Sequence, residues 1–202
     1  MQEFSVNQTS SIWGDYRELA ESQEYLTIAF SPGSTSLQQR WRKNALSANF
    51  IADYFATFCP DSASKEDAAP TSISCTTKWQ DQVNFIANEL LENAMKFCDR
   101  SANLPISLTL RLLPNSLVFE VSNALNPHAV AQLQAFIREL LSEDPSKLLL
   151  RQLERNAADP HSTGSRLGFL TLMSDYQAKI GWKFEPHTSD ISIVTIMVYL
   201  NL

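Results

Sequence analysis

The chain has 202 residues, 44% of them hydrophobic and 19% charged, with a formal net charge of -6. This length suits one domain with a sizeable core, or a domain with an extension. The negative charge disfavours nucleic-acid and anionic-membrane partners, and no apolar run approaches the roughly 20 residues of a membrane helix. We expect a cytoplasmic protein, because the N-terminus lacks a signal-peptide pattern and the three cysteines form no Cys-x-x-Cys pair.

The N-terminal part of the chain alternates between polar segments and periodic apolar ones. Residues 1–24 are polar and predict a tail or a dimerisation arm, with one short helix around 13–20. Alternating apolar residues predict a strand over 25–30, and apolar residues at helical spacing then predict a long helix that ends before Pro60. Residues 61–74 are rich in Ser, Ala, Asp, Lys and Pro, and they predict a flexible connector.

A helix predicted over residues 76–99 has two distinct faces. Its apolar stripe, which recurs at spacings of three and four, consists of Val83, Ile86, Leu90, Ala94 and Phe97. A neighbouring polar stripe has the same spacing and consists of Glu89, Asn93 and Lys96. Glu89 can orient a hydroxyl, Asn93 can offer an oxygen to a hard cation, and Lys96 can reach a phosphate. An Asn inside a helix is a poor helix former, which favours a functional face over a merely solvated one.

The C-terminal part predicts a β-hairpin, further helices and two final strands. The predicted segments are a hairpin over 105–122, a helix from 126 that Pro145 breaks, helices over 146–155 and 166–178, and strands over 180–184 and 191–200. This order predicts an α+β fold, a two-layer sandwich in which helices cover one face of a mixed, mostly antiparallel sheet.

The segment TGSRLGF, from Thr163 to Phe169, lies where a loop meets a helix. Glycines allow close backbone approach, and the amides at a helix N-terminus attract phosphate. Taken alone, the segment is better explained as an ordinary helix cap by Ser162 or Thr163.

Two of these segments resemble motifs of the GHKL ATPases, the superfamily of gyrase, the MutL repair proteins and the histidine kinases. Glu89-Leu90-Leu91-Glu92-Asn93-Ala94 resembles the N box, Glu-x-x-x-Asn-Ala. The loop before the last helix resembles the second glycine box, Gly-x-Gly-Leu-Gly-Leu: Gly164, Leu167 and Gly168 match, and Arg166 replaces the middle glycine. The resemblance covers residues 25–202 in element order and implies the Bergerat ATP-binding fold.

The adenine box departs from the family pattern, which is Asp-x-Gly-x-Gly. At the end of the second hairpin strand the sequence is VSNALN, with Asn123 in the place of the Asp and both glycines absent. A carboxamide can accept a hydrogen bond from adenine, but without the charge of a carboxylate. We therefore expect ATP to bind weakly and with poor selectivity for the base.

The resemblance implies ATP and Mg²⁺ as cofactors, with Glu89 as the catalytic general base and Asn93 as the magnesium ligand. The further implied nucleotide-binding residues are Lys96, Asn123, Gly164, Ser165, Arg166, Leu167 and Gly168. Residues 126–165 correspond to the ATP lid of the family, so we expect them to be the most mobile part of the domain.

Two functions remain open at this point. One is a serine/threonine protein kinase that resembles the bacterial anti-sigma kinases of partner-switching systems, which act on a small regulatory protein such as an anti-sigma-antagonist-like domain. The other is a degenerate GHKL module that acts by protein contact without catalysis. The intact N box favours the first and the altered adenine box favours the second, and a homodimer is an open alternative for either.

Overall fold

The computed structural model describes residues 10–19, 24–31, 37–58, 75–158 and 167–201, without the side chains of 37–43 and 75–77. The strands are β1 Ser11–Gly14, β2 Glu24–Phe30, β3 Ile106–Leu113, β4 Ser116–Leu125, β5 Lys179–Pro186 and β6 Ser192–Asn201. The helices are α1 Leu37–Ala56, α2 Cys75–Phe97, α3 Pro127–Ser142, α4 Pro145–Ala158 and α5 Leu167–Ser174, with a 3₁₀ turn at Arg100–Ala102.

The six strands form one sheet in the order β1-β5-β6-β4-β3-β2. Every neighbouring pair of strands is antiparallel. The sheet is therefore fully antiparallel, whereas the sequence predicts a mixed, mostly antiparallel one. The cross-strand register places Leu108 beside Val121, Val121 beside Ile196, and Ile196 beside Trp182. These side chains share one face and are buried in the same core as the helices. The predicted α+β sandwich is therefore confirmed.

The apolar stripe of α2 builds the centre of this core. Val83, Ile86, Leu90 and Ala94 are buried as the periodicity predicts. Complete burial of one such aliphatic side chain stabilises a fold by roughly 1.5–3 kcal/mol. Phe97 is the exception, because it is 50% exposed and lines a cavity at the end of the helix.

The prediction of a short helix around residues 13–20 is wrong. Residues 11–14 instead form β1, which pairs with β5 at one edge of the sheet, and residues 15–19 contain no helix. Gly14 has a φ of 63°, which favours glycine, and the turn there lets the backbone N–H of Asp15 donate to the carbonyl of Ile180 (2.9 Å). The chain then passes over Gly181 on the sheet face opposite the helices, where Tyr16 lies near Lys183.

Helix α5 ends earlier than the predicted residue 178. Gln177 has a left-handed φ of 51°, and the N–H of Ala178 donates to the carbonyl of Leu172 (2.9 Å). This arrangement closes the last turn and directs the chain into β5.

The predicted connector at 61–74 lies outside the described residues, as does the last part of the predicted lid, 159–165. The described part of that lid consists of α3 and α4, which contribute Ile137, Leu140 and Leu148 to the core. Its mobility stays a prediction. Within the ranges that the structure describes, no helix is long and apolar enough to cross a bilayer.

Candidate functional site

A cavity of about 600 Å³ lies between α2, α3, α5 and the ends of β4 and β6. Small-molecule sites have volumes of roughly 300–1,000 Å³, so the cavity has the size of a ligand site. Much of its wall is apolar and includes Ala94, Leu125, Leu133, Phe136, Phe169 and Ile196. Its polar side chains come from three elements and are Asn93, Lys96, Asn123 and Gln132. A largely apolar cavity with a few polar groups is the usual form of a small-molecule site.

The first turn of α5 packs directly against the polar stripe of α2. A methyl group added at Gly168 would lie 3.2 Å from Cδ of Glu89, closer still to its Oε2, and 3.7 Å from Nδ2 of Asn93. Any side chain at position 168 would therefore have to displace the Glu89 carboxylate. Glycine lets these two segments, which are distant in sequence, approach closely while the Glu89 carboxylate keeps its position.

Burial alters the chemistry of the Glu89 carboxyl group. Glu89 is half-buried, and this desolvation raises its pKa above the ordinary value, with the nearby negative charge of Glu92 as the second cause. A carboxylate with a raised pKa is a better proton acceptor near neutral pH than an exposed one. Glu89 is not among the cavity-lining residues and meets the cavity through Asn93 and Gly168, both of which line it.

Asn123 is a polar residue in an otherwise apolar row of β4. The inward row of this strand also contains Leu117, Phe119, Val121 and Leu125, all of them buried. Asn123 is only 3% exposed, and its Nδ2 donates a long hydrogen bond to the carbonyl of Ala124 (3.4 Å). Its register partner Val194 lines the same cavity. Burying a carboxamide is costly unless it is hydrogen-bonded, so its position at a cavity wall suits a group that contacts a ligand.

The structure thus brings five of the predicted site residues to one region. Asn93, Lys96, Asn123 and Gly168 line the cavity, and Glu89 lies behind Gly168. Leu167 is half-buried at the first position of α5. Gly164, Ser165 and Arg166 lie outside the described residues. The roles assigned to all of these residues stay predictions.

Sequence reasoning assigned α3 to the predicted lid but named none of its residues as part of the site. Gln132, Leu133 and Phe136 line the cavity together with Phe97 of α2. The periodicity predicts that Leu133 and Phe97 are core residues. A helical pattern does not distinguish a side chain packed in the core from one that lines a cavity. Gln132 has no local signal, since a polar residue on an amphipathic helix is expected on its solvent side.

The sequence matches no protein-family model and no curated protein. The fold is similar to that of a chain in the crystal structure of a SiaB-SiaC complex from Pseudomonas aeruginosa. The TM-score is 0.54 at 13% identity, and the match covers 87% of this chain and 89% of that chain. At this identity the likeness shows a shared fold that extends over nearly the whole of both chains.

Proposed function

We propose that the protein is an ATP-binding regulator of the GHKL superfamily that phosphorylates a serine or threonine of a protein partner in a bacterial partner-switching system. The observation that carries the proposal is the contact of Gly168 with Glu89 and Asn93 at one cavity. The segments that resemble the N box and the glycine box are far apart in the sequence, and a shared ligand site requires that they meet. The similar chain comes from a complex of two proteins, which supports a protein as the partner.

The residues around the cavity fit ATP and magnesium. The apolar walls suit a base, Asn123 offers a buried carboxamide to its edge, and Lys96 supplies a positive charge at the same cavity. Magnesium is commonly bound by one or two protein carboxylates together with substrate phosphates and water, and the Asn93 carboxamide would offer a neutral oxygen in that place. Bound ATP would supply the transferred phosphoryl group.

The chain's own residues then have distinct tasks. Glu89 would accept the proton of the partner's hydroxyl group, a role for which its half-buried position and raised pKa are suited. Gly168 leaves room for the Glu89 carboxylate, and the apolar walls would contact the base of ATP. Positioning and electrostatics are the main contributions that a protein makes to phosphoryl transfer.

Titration calorimetry with ATP and magnesium tests the binding step. We expect Asn93→Ala to weaken magnesium-dependent ATP binding by about tenfold, the value of one interaction with a charged group. Asn88→Ala is the matched control, because Asn88 lies on the same helix, is also half-buried, and is not a cavity-lining residue. Absence of binding heat with the wild-type protein, or equal losses in both variants, would contradict the proposal.

A degenerate module that acts by protein contact alone is the second candidate. The observation that favours it is the altered adenine box. Asn123, a neutral carboxamide in the cavity wall, stands where the GHKL pattern has an aspartate, and no glycine lies between β4 and α3. Weak ATP binding without transfer to any partner would support this alternative over the kinase.

Asn123→Asp tests the position of the base. We expect the variant to bind ATP about tenfold more tightly, since a charge-assisted hydrogen bond is roughly 1–2 kcal/mol stronger than a neutral one. Without ligand, a buried carboxylate at this site would have a raised pKa, so the variant should be less stable at neutral pH and recover as the pH falls. ATP and GTP titrations with thermal melts measure both effects. Equal ATP affinities in the two proteins would mean that Asn123 does not face the base.

A further inference from the structure

The end of α2 and the start of α3 are joined by a hydrogen-bond network centred on Asp99. One carboxylate oxygen accepts from the backbone N–H of Ser101 (2.9 Å) and from its hydroxyl, and the other accepts from Nδ2 of Asn126 (3.1 Å). The backbone N–H of Asp99 donates to the carbonyl of Ala124 at the end of β4 (2.8 Å). A single aspartate therefore connects α2, β4 and α3.

Asn126 uses its two side-chain groups for two different tasks. Its Oδ1 accepts from the N–H of Ala129 (2.9 Å) and caps α3, while its Nδ2 donates to Asp99. A Ser or Asp would cap the helix equally well. The amide donor is therefore the part of this side chain that serves the contact with Asp99 and not the cap.

The network lies at the rim of the cavity. Three residues next to the network line the cavity. Phe97 lies two residues before Asp99, Leu125 directly precedes Asn126, and Ala129 donates its N–H to the Asn126 side chain. The three hydrogen bonds lower the pKa of Asp99, with the Ser101 hydroxyl as the largest cause and Asn126 among the smaller ones. The carboxylate is consequently charged at neutral pH, and its bond to Asn126 is charge-assisted.

We propose that the Asp99–Asn126 hydrogen bond is a latch that holds α3 in place as a wall of the cavity and so sets the affinity of the site for its ligand. Asp99 and Asn126 are positioning residues in this account. The effect on ligand affinity rests on the proposed nucleotide function, whereas the effect on α3 does not.

Exchange of the two side chains at positions 99 and 126 separates the effect of their mutual hydrogen bond from the effect of the helix cap. Asn126→Asp keeps the cap acceptor but sets two carboxylates against each other. Asp99→Asn leaves one carbonyl oxygen where the carboxylate has two, so that two amide donors face each other as long as this oxygen accepts from Ser101. The double variant, Asp99→Asn with Asn126→Asp, restores one donor and one acceptor in reversed order. Each single variant should speed hydrogen exchange in the first two turns of α3 by about five- to tenfold and weaken ATP binding by a similar factor. The double variant should restore both properties.

Hydrogen exchange on the ligand-free proteins decides the inference. Unchanged exchange in α3 of both single variants would overturn the latch, and so would a double variant that exchanges as fast as the singles. If exchange follows the expected pattern but the wild-type protein binds no ATP, the latch stands and the nucleotide function fails. If exchange responds and ATP affinity does not, the latch does not control the site, and that part of the proposal is overturned.

Discussion

Glu89→Gln is expected to lower the proposed phosphoryl transfer to a protein partner by about a hundredfold or more, since general-base catalysis contributes roughly 10²–10⁴-fold. ATP affinity should not change, because Glu89 is not among the residues that line the cavity. The substitution removes the proton acceptor and keeps the shape that packs against Gly168. Single-turnover transfer of labelled phosphate, measured beside an ATP titration, separates the two effects. Equal transfer rates in the variant and the wild type would exclude Glu89 as the base.

The raised pKa of Glu89 adds a second measurement to this test. The base acts only when it is ionised, so the transfer rate should fall as the pH drops through a pKa that lies above the ordinary glutamate range. A raised carboxyl pKa in the folded state favours folding at low pH, and this contribution is lost as the pH rises through that pKa. Glu89→Gln should therefore not lower the melting temperature at neutral pH. A marked loss of stability would indicate a structural role.

Glu92→Gln is the control for the pH profile. The charge of Glu92 is the second cause of the raised pKa of Glu89, after burial. Its removal should move the acidic limb of the rate profile to lower pH and leave the plateau rate unchanged. A profile that stays in place would mean that a group other than Glu89 controls it.

Much of the fold follows from periodicity because most elements bury one face. The alternation in β3 and β4 and the stripe of α2 predict both the element type and the buried residues. Strand β1 lacks such a signal, since it is four residues long and is defined by its pairing with β5. The end of α5 is likewise set by the backbone conformation at Gln177, which no apolar pattern indicates.

The site was only partly predictable, and the reason is visible on α2. This helix contains three asparagines, so low helix propensity does not single out Asn93. Asn84 donates to Asn49 of α1, and Asn88 is not a cavity-lining residue, whereas Asn93 lines the cavity. The spacing from Glu89 to Asn93, which reflects a motif and not a local preference, selects the asparagine that lines the cavity, and its role stays a prediction. The contact with Gly168 is a tertiary contact that helical spacing does not indicate.

Gly168→Ala is expected to lower transfer by about a hundredfold, because a small misplacement of a catalytic group has a cost of that order. The added methyl group would occupy the space of the Glu89 carboxylate, whose Cδ lies 3.2 Å from that position. The fold should tolerate the change, since Glu89 can rotate away and alanine is a better helix former than glycine. Transfer should therefore be lost in a protein that still binds ATP and melts near the wild-type temperature.

A double-mutant cycle with Glu89→Ala isolates this contact. Without the carboxylate, Gly168→Ala should increase the free energy of unfolding through helix propensity, by less than the roughly 1 kcal/mol of a helix interior because residue 168 lies in the first turn of α5. With Glu89 present, the displacement of its carboxylate should offset that gain. Asn93 does not interfere, because its Nδ2 lies 3.7 Å from the new methyl group, an ordinary contact. Urea unfolding of the four proteins gives the coupling free energy. Equal effects of Gly168→Ala in both backgrounds would mean that Glu89 does not lie against Gly168, and the link between the two motifs would be lost.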